Sequence, residues 1–343
     1  MIETIGIPRA LVYYYFYPQW RTFFEELGYK VVLSDKTSKR IVDLGVKVTL
    51  SDACIPVKVY HGHVQDLVGK GVDAIFSPRL VSIDADATFC PKFLGLPDMV
   101  RYSVDNLPLW IDERIDNRRR KYREKRFYLN IGKKLGRSKA DVMPAYKKAV
   151  KAQEEFRRMI VEGRMPALDA IKVYDRKGDV DGAIRKYKEK LKQAENNNGP
   201  RRLHYAVIGY VYLVYDDFLN ANFLKKLEEM NITPYTFDML PEDAIDKQTK
   251  KLPRNLFWMF SNRVVKAAYH YMSEEKLDGI IHLSAFGCGP DAMTTKLIEI
   301  EAKYHTKIPY SRILLDEHTG EAGLVTRLES FTDMIRRKEA LGR

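Results

Sequence analysis

The chain is poor in cysteine: only three occur in 343 residues, at positions 54, 90 and 288. An odd number of thiols excludes a closed disulfide framework. Their wide separation also fits none of the paired-cysteine patterns of zinc sites or ferredoxins. No run of about twenty apolar residues is present, which excludes a membrane-spanning α-helix. The opening stretch, MIETIGIPRA, lacks the basic region and apolar core of a secretory signal and reads directly as a strand. A reducing, cytoplasmic setting is therefore expected. A phosphate-binding loop of the P-loop type is missing too, and no other stretch reads as an ATPase.

Apolar residues make up 45% of the chain and aromatics 11%, enough to fold without disulfides or zinc. At this length two domains are expected. A short apolar strand at 3–7 is followed by a helix through Trp20, Phe23, Phe24 and Leu27, and then by a strand at 29–33. Strand, helix and strand joined by short connections mark a parallel α/β sheet. A short helix near 38–44 and a longer one beyond Pro56 lead to a buried strand at 73–77. The loop after it, from Pro78 to Phe89, carries Asp84 and Asp86 and delivers Cys90.

From about Gly136 to Leu191 the pattern turns charged and helical, with amphipathic stretches at 139–162 and 180–194. The polar break ENNNGP, residues 195–200, is the best linker in the sequence. The α/β rhythm then resumes at 205–211. FFEELGYKVV, from Phe23, resembles FLKKLEEMNITPY, from Phe223, and 57–77 resembles 264–284. This register sets Cys90 and Cys288 at corresponding places, just beyond the C-terminal end of a parallel strand, where open α/β sheets bind ligands. The expected architecture is α/β: two Rossmann-like parallel-sheet domains facing a cleft, with a helical, basic middle segment. The boundaries read from the sequence are 1–113, 114–198 and 199–343.

The formal net charge of +12 is concentrated. Between Arg114 and Lys139 twelve Lys/Arg stand against two acids, Asp116 and Glu124, with a centre at Arg118 to Arg123. Such a patch attracts phosphorylated ligands, an acidic protein or nucleic acid. It reads equally well as a solvated helix face. No nucleic-acid-binding module accompanies it, so nucleic acid is not the expected partner.

Each cysteine lies in a turn with proline within two residues: DACIPVK, TFCPKF and AFGCGPD. Pro is favourable in the first turn of a helix. All three thiols are thus expected at helix starts, where the dipole favours thiolate. Three converging thiolates suit a soft metal or an iron–sulfur cluster. The plainer reading is three buried cysteines acting as small hydrophobes. A Cys3His zinc site completed by His282, His61 or His63 competes among the metal readings. The acidic turn DEHTGE, at 316–321, also follows a strand. Glu317, His318 and Glu321 are therefore candidate proton donors, or the caps of a helix.

Five segments in order, IGIPRAL, SDACIPVKVYHGHV, FCPKF, AFGCGPD and LLDEHTGEAGLVTRLESF, resemble the 2-hydroxyacyl-CoA dehydratase / benzoyl-CoA reductase superfamily. The resemblance is closest to its activase-related branch, which includes double-cubane cluster proteins. It spans both α/β halves and is weakest in the basic, helical middle. It implies a [4Fe-4S] cluster between two domains, ligated at Cys54, Cys90 and Cys288, with one iron open to a substrate. It also implies an ATP-dependent activator protein as electron donor, a homo- or hetero-dimer, an acyl-CoA or other small substrate, and anaerobic metabolism. Three cysteines are too few for a double-cubane cluster within one subunit, unless two protomers share it. The expected function is thus that of a reductase or dehydratase component, carrying out low-potential reduction or dehydration of such a substrate. The alternatives are a non-catalytic electron-transfer or cluster-assembly subunit of a larger complex, and a zinc-stabilised binding protein.

Overall fold

The computed structural model describes residues 2–84, 87–119, 123–196, 200–252, 254–273 and 276–341. The first half runs β1 (Thr4–Ile7), α1 (Tyr13–Glu26), β2 (Lys30–Leu33), α2 (Lys39–Val48), α3 (Ile55–Gly69), β3 (Ala74–Phe76), β4 (Arg79–Ser82), α4 (Pro91–Ser103), β5 (Leu109–Ile111) and β6 (Arg114–Asp116). Four of these strands form a sheet in the order β2-β1-β3-β5, every pair parallel. Ile5, Ile7, Ala74, Ile75 and Phe76 are buried, as strands covered by helices on both faces require.

The span read as a plain loop before Cys90 contains β4, which pairs in parallel with β6 as a separate ribbon. Strands of three and four residues carry no periodicity that separates them from loop. Asp86, in the same span, lies outside the described residues.

The middle holds α5 (Glu124–Lys134), α6 (Lys139–Val161), α7 (Ala167–Asp175) and α8 (Val180–Glu195). Ser138 starts α6 with a capping box: its hydroxyl accepts from the Asp141 N–H, and the Asp141 carboxylate accepts from the Ser138 N–H at 3.0 Å. The helix then lies along α1 and buries Ala145, Ala149 and Phe156. The Phe23 and Tyr128 rings meet at 4.6 Å, fastening α5 to the same helix. Of the polar break before the second half, residues 197–199 lie outside the described residues.

The second half runs β7 (Leu203–Gly209), α9 (Val211–Tyr215), α10 (Phe223–Glu229), β8 (Ile232–Thr236), α11 (Glu242–Lys247), α12 (Met259–Met272), β9 (Gly279–Ala285), α13 (Gly289–His305), β10 (Tyr310–Leu315) and α14 (Glu321–Ala340). Its sheet, β8-β7-β9-β10, is again all parallel and repeats the strand order of the first. The paired sequence segments occupy matching elements, α1–β2 with α10–β8 and α3–β3 with α12–β9. In each half the order reverses between the first and third strands, the switch point outside which such sheets open a crevice.

The buried apolar residues of both halves form one continuous cluster. At its centre is α9, all five residues of which are buried. Phe93 of α4 packs near Tyr212 of α9 and Phe260 of α12, with ring centroids 6.3 Å away from each. No helix among the described residues is long and apolar enough to cross a membrane.

Candidate functional site

Each cysteine is the N-cap of a helix: Cys54 of α3, Cys90 of α4 and Cys288 of α13. Each is extended, and each helix has proline in its first turn, at Pro56, Pro91 and Pro290. The three cap carbonyls accept from the N–H groups of Val57, Phe93 and Ala292, each at 3.0 Å. Proline thus starts the helix without wasting a donor and leaves the cap side chain free of the backbone ladder. The sequence reading of three thiols at helix starts matches this geometry.

The three caps come from both halves, and those of Cys54 and Cys288 lie close together. Gly287, at φ +73°, carries the turn before Cys288 so close to Cys54 that a Cβ there would stand 3.8 Å from the Cys54 Cα. Thr88, two residues before Cys90, pairs with the second half: its N–H donates to the Phe257 carbonyl at 3.0 Å, and its carbonyl accepts from Met259 at 2.7 Å. Tyr212, buried in α9, feels the charge of all three cysteines. Burial first, and then the thiolate charge of Cys288, Cys90 and Cys54, hold the proton firmly on its hydroxyl. Tyr212 follows β7 directly, at the switch point of the second sheet.

The electrostatics correct one expectation. The helix starts were expected to favour thiolate, yet all three thiols hold their protons above the ordinary range. Burial is the largest cause for each. At Cys54 it outweighs the Lys92 ammonium and the Val57 N–H, and at Cys90 the N–H groups of Phe93 and Lys92. Asp291 and the other two thiols add to burial at Cys288. A helix dipole is worth about 0.3–1 kcal/mol where exposed, less than the desolvation of a charge. Burial thus keeps all three in the thiol form.

Among the described residues no three His, Cys, Asp or Glu side chains form a group that could hold a single metal ion. Each histidine proposed to complete a zinc site has at least one ring nitrogen hydrogen-bonded, and His282 Nε2 is buried without a hydrogen-bond partner. His63 has both ring nitrogens bonded, Nδ1 to Ser34 Oγ at 2.8 Å and Nε2 to Thr37 Oγ1 at 3.0 Å. His61 Nδ1 meets the Val57 carbonyl at 2.8 Å. Buried His282 has Nδ1 3.2 Å from the Tyr310 hydroxyl and Nε2 3.3 Å from Asp291 Oδ1. A mononuclear ion draws its donors to within about 2.3 Å of one point. A cluster brings its own sulfide framework and binds each thiolate at a different iron, so it suits thiols on three separate helices.

The acidic turn divides. Glu317 Oε1 accepts from Lys58 Nζ at 2.6 Å, a bond between halves made by the lysine one turn beyond Cys54. Lys58 is buried, and its ammonium holds the Glu317 carboxyl below the usual range. Glu321 instead pairs within its own half, with Lys226 at 2.5 Å. His318 is exposed. The turn closes on Asp316, which accepts from the His318 N–H at 2.8 Å and the Thr319 hydroxyl at 3.0 Å.

The basic patch is partly consumed internally. Arg114 and Arg118 reach fully buried Asp116 at 2.9 and 3.1 Å, and Lys134 reaches Asp112 at 3.2 Å. Arg120, Lys121 and Tyr122, at the patch's centre, lie outside the described residues. Sequence reasoning missed Lys58, Lys92 and Tyr212. The i to i+4 spacing of Cys54 and Lys58 was the one signal that could have found the first.

Residues 4–240, well over half of the chain, match the family described as CoA enzyme activase uncharacterised domain (DUF2229). The match contains Cys54, Cys90 and Tyr212 and ends before Cys288. No curated protein matches the chain.

Proposed function

The chain belongs to the CoA enzyme activase uncharacterised domain family, and from that premise we propose that it is an iron–sulfur protein serving a CoA enzyme by low-potential electron transfer. Cys54, Cys90 and Cys288 would hold one [4Fe-4S] cluster, with electrons supplied by a separate ATP-dependent activator. What supports this reading is that three cysteines, each the N-cap of a helix and drawn from both halves, all bear electrostatically on buried Tyr212. When bound, such a cluster supplies a one-electron couple and an iron that no protein side chain ligates.

The remaining residues supply a charged frame. N–H groups at three helix starts, with Lys58 and Lys92, offset negative charge at the thiolates. Tyr212 keeps its proton and can donate a hydrogen bond. Glu317 fixes Lys58 across the halves, and this bears on whether the chain is catalyst or carrier. A carboxylate held ionised by a buried ammonium is a poor proton donor near neutrality, and Glu321 is paired elsewhere. Those pairings favour electron transfer to a partner enzyme over reduction or dehydration of an acyl-CoA by this chain itself.

The test is anaerobic reconstitution with iron and sulfide, followed by metal analysis and EPR. About four irons per chain and a reducible cluster signal are expected. Cys54→Ser, Cys90→Ser and Cys288→Ser should each lose or destabilise the cluster. A colourless protein with one zinc, or full iron retention in Cys288→Ser, would sink the reading. Turnover of an acyl-CoA by the reduced chain alone would restore the catalytic version.

A further inference from the structure

Away from the cysteines, a cavity of about 640 Å3 opens between α1, α5, α6 and the β4–β6 ribbon. Its walls are apolar and aromatic, with Phe16, Trp20, Phe127 and Tyr128 on one side and Val150 and Val161 on the other. A volume of this order takes a small organic ligand.

The polar groups on its wall do not balance. Gln153 and Arg157 stand four residues apart on α6 and so share a face. Gln153 Nε2 donates to the Tyr15 carbonyl at 2.7 Å, which leaves its Oε1 buried without a partner. The Arg157 guanidinium lies 5.2 Å over the Tyr15 ring, and its Nη1 is also buried without a hydrogen-bond partner. The neighbouring charges are engaged elsewhere. Arg158 pairs with Glu162 at 3.3 Å and Asp181 at 2.7 Å, and Glu242 pairs with Arg263 at 3.0 Å. Glu124 accepts from Gln19, and burial pushes its carboxyl up toward the neutral form. Glu154, the remaining acid on the wall, is exposed. A buried donor and acceptor left unmade cost about 1–3 kcal/mol each, and a guanidinium is the strongest of these demands.

We propose that this cavity binds a monocarboxylate with an aromatic or aliphatic body, the carboxylate on Arg157 and the body against the Trp20 and Phe127 rings. The charge of Arg157, which lines the cavity, selects a carboxylate over a neutral amide. This site is independent of the cluster reading, since no cysteine lines it.

Calorimetric titration of the full chain at neutral pH with 3-phenylpropanoate and with 3-phenylpropanamide tests it. The carboxylate should bind about ten-fold or more tightly than the amide, and Arg157→Gln should erase that preference. Equal or tighter binding of the amide, or no saturable binding of either in the millimolar range, overturns the proposal. So does a preference that survives Arg157→Gln. The wild-type comparison decides the question even if the variant fails to fold.

Discussion

Replacing Asp216 with Asn should make the protein more stable above about pH 6 and leave it unchanged in mild acid. Asp216 ends α9, the buried helix that carries Tyr212. Its Oδ2 accepts from Thr37 Oγ1 at 2.6 Å, and Thr37 in turn meets His63 Nε2, so a polar chain crosses between the halves. Its Oδ1 accepts from the N–H groups of Phe218 and Leu219 at 3.2 and 3.1 Å. Burial nevertheless dominates and pushes the carboxyl up from 3.8 to about 6. The folded chain then binds this proton more tightly than the unfolded chain does. Its contribution is fully present below about pH 3.8 and is lost as pH rises through about 6. Two pH units at about 1.4 kcal/mol each put the loss on the order of 3 kcal/mol. Asn keeps an oxygen for the two N–H groups and can donate to Thr37, so its own cost should be small. Urea unfolding of both proteins from pH 4 to pH 8, compared by midpoint at unchanged slope, measures the difference. Titration elsewhere in the chain cancels in that comparison. A variant less stable than the parent above pH 6, by a margin that grows as pH rises, would refute the reasoning, because the ionised carboxylate would then be a net favourable acceptor.

Two further substitutions probe the frame around Cys54. Gly62→Ala should cost about 2–4 kcal/mol, because α2 and α3 cross backbone to backbone and a Cβ at Gly62 would overlap the Ile41 carbonyl. The measure is a lowered thermal midpoint, and an unchanged one would mean the helices part without cost. Glu317→Gln should lose about 1–3 kcal/mol at neutral pH. That loss should fade in acid: the Glu317 carboxyl is depressed by Lys58, so its contribution is present above the unfolded value near 4.5 and disappears as pH falls through the folded one. Chemical denaturation at pH 7 and pH 3.5 reads this, and an equal loss at both would assign the effect to shape, not charge.

What could be read from the sequence were features written in local chemistry. Proline two residues or fewer beyond each thiol announced three helix starts. Repeated helix–strand segments announced two sheets of one strand order. Features set by long-range partners stayed hidden. The β4–β6 ribbon joins short strands separated by more than thirty residues. The five residues of α9 are too few to show a helical period. The fates of Glu317 and Glu321 were indistinguishable in DEHTGE, because each depends on a lysine far away in the chain, Lys58 for one and Lys226 for the other. The protonation of the thiols turned on burial, which a motif does not state.

The repeat also accounts for the number three. In each half one helix precedes the third sheet strand and another follows it, so the doubled fold offers four equivalent N-cap positions. Those following the strand are Cys90 and Cys288, and those preceding it are Cys54 and Trp258. Trp258 lies between Phe257 and Met259, whose backbones pair with Thr88 on the approach to Cys90, and its indole N–H is buried without a partner. An indole stands in the second half where the first half has the Cys54 thiol. The incomplete thiol set is thus a property of the second half, which departs from the first at Trp258 while keeping its counterpart of Cys90.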